Sequence, residues 1–256
     1  MFDRKSHFVL PILLLFLSSL YGQDLPEQKT VTIFPFHFAS TNVEEKQAIA
    51  ELNDLFYDLF AGQFVSTGYF QVVDRQHLQE LLDEIKLQQS GLTQGEVIEI
   101  GHMQGAELAI FGTVTKVMHQ TFLTMKIIDI ETTLILKVIK AKGSLTKPDR
   151  LALEAGLDFM DGLSAVLVDR YGLKSDAASS ISRKGLENYL KGRDLTEQAV
   201  VADQDGNKTK SNKLIREAES KFLKAVSADP VLKEAVAEYK NHHPDLFEMD
   251  EQDDSF

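Results

Sequence analysis

The apolar period of this chain switches repeatedly between two and 3.6 along residues 30–172, and that alternation restricts the fold more than any single motif. Val31–Phe38 is apolar on both faces, as a covered central strand is, although Pro35 removes one ladder donor. Glu44–Phe60 then places Ile49, Leu52, Leu55, Phe56, Leu59 and Phe60 at helical spacing. Opposite them lie Glu44, Glu45, Lys46, Asn53 and Asp54, and the run Ser40-Thr41-Asn42 offers N-caps. Thr67-Gly68 turns into a short strand, Tyr69–Val73. Asp74 caps a predicted helix over Arg75–Leu87, with an apolar stripe of Leu78, Leu81, Leu82 and Ile85. After a loop over Gln88–Thr93, Thr93 caps a second short helix reaching about His102. Ala106–Val117, Thr121–Ile130 and Thr133–Ala141 read as strands, the last two joined at Asp129–Thr132 as a hairpin. Pro148 suits the first turn of a long helix that ends near Tyr171. Strands alternating with helices, then a hairpin, then a covering helix, predict an α/β domain over residues 30–172. It would be a layered sheet of about five strands with packed helices.

The flanking segments read differently. Residues 1–22 have the layout of a secretory signal peptide: Arg4 and Lys5, an apolar run from Phe8 to Leu20, and Gly22 before Gln23. The run is too short for a comfortable membrane span, and no later stretch is apolar enough for one. Residues 173–180 form a Ser/Ala-rich linker, and residues 181–241 read as helices throughout, over Ile181–Ala199, Asn212–Ala228 and Pro230–Lys240, with a polar loop at Asp203–Ser211. Tyr189, Gly192, Ala218, Phe222, Ala225 and Asp229-Pro230 fall at the offsets of a tetratricopeptide unit, so this segment resembles one such helical hairpin. A single unit cannot bury its own apolar face, which must rest on the α/β domain, on a partner or on a second copy. Residues 242–256 are acidic and are expected to be disordered.

Composition closes off several chemistries. The 256 residues contain no Cys and carry a net charge of −12. That excludes a disulfide framework, zinc–thiolate and iron–sulfur sites and a thiol nucleophile, and it argues against nucleic acid as a partner. His242-His243 with Asp245 or Glu248 is a weak metal candidate, more simply a solvated pair. Asp203–Asn207 looks like a calcium loop, but its twelfth position is Leu214 instead of a bidentate Glu, so a turn is expected. His37, His77, His102 and His119 are scattered, and Ser90-Gly91 has no nearby base. No catalytic, cofactor-binding or metal-ligating residue is predicted, and no cofactor.

Four stretches occur in a familiar order: the Val31–Phe36 strand, Gly68–Leu78 (GYFQVVDRQHL), Gln89–Leu92, and Gly105–Val114. Together they resemble the CsgG family, which includes the curli secretion channel and periplasmic relatives. The same layout occurs in the TolB amino-terminal domain and in outer-membrane activators of penicillin-binding proteins. The resemblance covers about residues 30–170. It implies structural roles for Gly68, Asp74, Arg75, Gly91, Gly105 and Gly112: turns at Gly68, Gly91 and Gly105, a helix cap at Asp74, close packing at Gly112, and an ion pair or helix-start contact at Arg75. Two departures narrow its implications. The chain has no Cys to carry a lipid, and between Val117 and Pro148 there is room for only one hairpin, apolar on both faces, so a membrane barrel is not expected. The turn also has Thr132-Thr133 where the family hairpin often has Thr-Gly. The resemblance implies a non-enzymatic, exported, unlipidated periplasmic protein of the cell envelope. Its partners would be other envelope proteins or further copies of itself, with outer-membrane association only through those partners. The alternative is an oligomeric component of a curli-type outer-membrane secretion assembly.

Overall fold

A computed structural model describes residues 28–38, 40, 42–84, 92–118, 120–173 and 180–247. The expected signal segment 1–22, Gly91, His119 and residues 248–256 lie outside the described residues. Five strands, β1 (Lys29–Ile33), β2 (Phe70–Val72), β3 (Leu108–Val117), β4 (Gln120–Asp129) and β5 (Ile135–Gly143), form one sheet in the order β2-β1-β3-β4-β5. β2, β1 and β3 run parallel, while β3, β4 and β5 form an antiparallel meander. The helices are α1 (Val43–Ser66), α2 (Arg75–Glu84), α3 (Gln94–Met103), α4 (Pro148–Tyr171), α5 (Arg183–Gln204), α6 (Lys208–Ala228), α7 (Leu232–Asn241) and the single turn α8 (Pro244–Phe247). The predicted α/β class holds, with a C-terminal helical segment behind it.

The opening strand is shorter than the apolar run. Pro35 has no N–H to donate, and β1 stops at Ile33. The chain nevertheless stays beside β3: Phe34 N donates to Ile110 O at 2.8 Å and His37 N to Gly112 O at 3.1 Å. Asn42, of the three cap candidates, accepts from Glu45 N at 3.0 Å. Thr93 and Glu96 form a reciprocal capping box at the start of α3. At the other end of the chain, α5 runs on to Gln204 and the polar loop shrinks to Asp205–Asn207.

The sheet has two covered faces. α1 and α4 pack on one, around Phe36, Phe56, Phe60 and Phe159, with Phe56 and Phe159 edge to face at 5.1 Å. α2 and α3 cover part of the other, where Leu78, Leu82, Val97 and Ile100 meet Phe34, Ala109, Phe111 and Ile128.

The C-terminal helices are not a separate body. Every residue of α1 from Leu55 to Phe64 is buried, because the sheet covers one side and α7 the other. A Cβ on Gly62 would lie 2.8 Å from the backbone N of Ala235, so α1 and α7 cross almost backbone to backbone. α5 and α6 form a hairpin in which Gly192 leaves room for the Phe222 ring, and Tyr189, Ala218 and Ala225 are buried between them. One apolar core runs from Val31 in the sheet to Tyr239 in α7. Of the three ways in which the hairpin could bury its face, the chain uses the first. The expected tail also starts later than residue 242. His243 lies 4.9 Å from the Tyr239 ring, and Phe247 of α8 packs against Phe222 at 6.3 Å, which extends the folded part to residue 247.

Candidate functional site

The residues singled out by the family pattern sit at turns and packing points. Gly68 (φ +65°) and Gly105 (φ +64°) occupy left-handed turns before β2 and β3, with open space where a Cβ would stand, so the backbone angle is what asks for glycine. Gly112 differs: a Cβ there would run into the Phe36 ring, so its place in β3 is a matter of close packing. Asp74 Oδ1 accepts from His77 N at 2.9 Å and caps α2. Arg75 does not pair with this neighbour. It reaches Asp54 on α1, with its guanidinium 5.6 Å from the centre of the Tyr57 ring. Gly68, Asp74 and Arg75 gather around β2, whereas Gly105 and Gly112 belong to β3 on the other side of β1, so the set does not converge on one point.

A different constellation does converge, at the seam between α1 and the C-terminal helices. Asp58 is completely buried on α1 and pairs with Arg193 of α5, Nη1 to Oδ2 at 3.0 Å. The Arg193 guanidinium stacks 4.5 Å from the Tyr239 ring centre. The Tyr189 hydroxyl has one proton for two acceptors, Ala235 O at 3.2 Å and Asp58 Oδ2 at 3.4 Å. Asp58 Oδ1 meets no donor among the described residues. Burial pushes the Asp58 carboxyl up to about 7 against the pull of Arg193, and burial also keeps the Tyr189 phenol neutral. Chemically this is a stacked, largely buried joint that fixes how α5 and α7 sit on α1.

Sequence reasoning passed over both partners. The signal was a carboxylate inside the otherwise apolar run Leu55–Phe60, in the half of the helix too apolar all round to have a solvent side.

Beside this joint, and lined in part by Arg193, a cleft of about 470 Å³ opens between α1, the start of α4 and α5. Leu52, Leu55, Leu153 and Leu190 line its floor, and Glu51, Asp149, Glu187 and Asp194 stand at its rim together with Arg150 and Lys191. Among the described residues no group of His, Asp and Glu is placed to hold a metal ion, and no helix is long and apolar enough to cross a membrane. His242 lies 3.8 Å from Glu238, one helical turn away, and Asp203 falls inside α5.

The family model described as "Curli production assembly/transport component CsgG" matches residues 27–122, from just before β1 into β4. No curated protein matches the chain. Among solved structures, the chain is similar to the LpoB C-terminal domain from Salmonella enterica, with 16% identity over 51% of this chain and 93% of that one and a TM-score of 0.33. The LpoB C-terminal domain from Escherichia coli gives 18% identity, 51% and 93% coverage and a TM-score of 0.32. The lipoprotein GNA1162 from Neisseria meningitidis gives 10% identity, 45% and 79% coverage and a TM-score of 0.31. Likenesses this slight carry no argument about activity or partners. Residues 27–122, which hold β1, α1, β2, α2, α3 and β3 in that order, are thus similar to the CsgG family.

Proposed function

We propose that the protein is a non-enzymatic component of the bacterial cell envelope, exported to the periplasm without a lipid anchor. In this reading it acts as a protein-interaction and assembly module. The match of residues 27–122 to an assembly and transport family carries the proposal. The helical hairpin, which resembles a tetratricopeptide unit, is part of the module and not its free arm, because its apolar face is spent on α1 and α4. The seam cleft, with an apolar floor and a rim of both charges, is the surface on which such a module would hold a partner.

The test is affinity capture from the native envelope with tagged full-length chain, run beside a Leu190→Glu/Glu187→Lys variant. The expected result is a set of envelope proteins enriched by the wild type and lost from the variant, whose urea midpoint stays within experimental scatter. An unchanged set would remove the cleft from the proposal, and no enrichment over a tag-only control would remove the module. Mass determination of the exported chain is expected to place the cut near Gly22. Sizing in the absence of detergent separates the alternative: a ring-sized particle favours an oligomeric secretion component, and a species at or below 28.7 kDa the adaptor.

A further inference from the structure

Between Leu108 and Lys147 the chain carries six lysines against two carboxylates, Asp129 and Glu131, in a protein whose net charge is −12. The sheet concentrates this inverted charge at its antiparallel end. On the face that α2 and α3 leave open beyond Phe111, the register sets Thr115, Phe122 and Lys142 side by side. Next to them come Thr113, Thr124 and Lys140, and then Lys126 and Val138. Phe122 and Val138 are exposed there.

β5 ends the sheet. It is nine residues long, it pairs among the described residues with β4 alone, and it contains no proline. α4 packs on one face of it, where Ile139 sits over Gly162, and no described strand pairs with its outer edge. An unpaired edge of this length is a template for another strand.

The charge pattern decides which strand. A second copy pairing β5 to β5 would bring two lysine-bearing edges of the same charge together, and like charges directly opposite destabilise a sheet in the registers that align them. Edge lysines commonly serve to prevent that pairing. The same lysines favour a segment of opposite charge. We propose that β5 docks an acidic, extended protein segment as a sixth, antiparallel strand. Its carboxylates would lie opposite Lys137, Lys140 and Lys142, with apolar side chains opposite Val138 and Ile139. In chain order the segment reads acid, any residue, acid, apolar, apolar, acid. Main-chain hydrogen bonds would supply affinity and the lysines selectivity. This surface is distinct from the seam cleft, so its failure would leave the cleft proposal standing, and the reverse.

The experiment uses the full chain and two labelled peptides, one containing Glu-Thr-Glu-Val-Val-Glu and one with each Glu replaced by Lys. Fluorescence anisotropy in low salt is expected to show the acidic peptide binding about tenfold or more tightly than its cationic counterpart, as three complementary pairs would give. Its binding should weaken as salt is added. Hydrogen exchange is expected to slow at those β5 amides that do not bond to β4. Lys140→Glu/Lys142→Glu should invert the preference, and if that variant unfolds, Lys140→Gln/Lys142→Gln should abolish it. Equal affinity for the two peptides, binding without protection at β5, or an unchanged preference in the lysine variants would each overturn the proposal.

Discussion

Asp58 is the most consequential side chain in the molecule, since it is a buried carboxyl with one charged partner, Arg193. Removing that partner leaves a charge without compensation, whereas removing both charges together leaves only a volume to fill. Asp58→Ala is therefore expected to cost roughly 3–5 kcal/mol in urea unfolding. Asp58→Met/Arg193→Met should recover most of that loss. The pH dependence has a definite sign. The folded-state pKa of Asp58, at about 7, lies above the ordinary 3.8 of an Asp. The folded chain thus holds this proton more tightly than the unfolded chain does. Its contribution is complete below pH 4 and is lost as pH rises through 7. Between pH 5 and 8 the urea midpoint of the wild type should fall relative to Asp58→Asn, which has no such proton. Thr133 is the second residue of note: a β-branched residue at φ +60° in the β4–β5 turn, where family hairpins often have glycine. Asp129 holds the turn, accepting from Thr132 N and Oγ1 and from Arg170 Nη2, each at 2.8 Å. With the turn fixed in this way, Thr133→Gly is expected to raise stability by about 1 kcal/mol, read as an increase in Tm.

Among the elements, α1 has a different environment along its length. Its first turns show an apolar face and a polar face, and its second half is buried all round. The extra covering is α7, which approaches at Gly62 so closely that no side chain fits. The nearest atom is backbone and cannot turn aside, so Gly62→Leu must push α7 away. Hydrogen exchange is expected to show loss of protection over Leu232–Asn241 while the β3–β4 amides stay protected. Loss of protection in both places at once would mean that α7 and the sheet unfold as one unit. β1 makes a related point. Its apolar run reaches Phe38, but the strand ends two residues before Pro35. The remaining residues still shadow β3 through His37, because the Phe34 and Phe36 side chains belong to the core whether or not the ladder continues.

For the whole molecule, the shared core makes the C-terminal helices part of the fold. Cutting the chain at residue 180 would bare the α7 side of α1 and strand Asp58 without Arg193. The truncated protein is expected to aggregate on expression, as judged by size exclusion, and not to yield a smaller stable domain. A monodisperse, cooperatively unfolding fragment of residues 23–179 would show that the helices are an addition. For the same reason, surface substitutions at the cleft and at β5 test function more cleanly than deletions.

The local sequence was enough to place most of the elements. Period, caps such as Asn42, Asp74 and Thr93, and Pro148 at a helix start are local signals, and local chemistry sets helix ends and strand alternation. The CsgG-like order of stretches was legible for a similar reason, since turns at Gly68 and Gly105 and the tight spot at Gly112 are short-range demands. The Asp58–Arg193 pair was not legible, because its members stand 135 residues apart and nothing local brings them together. Nor could sequence decide where the helical hairpin buries its apolar face, because an unpartnered face is equally suited to the parent domain, a partner or a second copy. Only long-range packing, through Gly62 against Ala235 and Tyr189 and Arg193 against Asp58, made that choice. The alternation of periods over residues 30–172 thus determines the layers, and the tertiary structure alone determines that both segments share a single core.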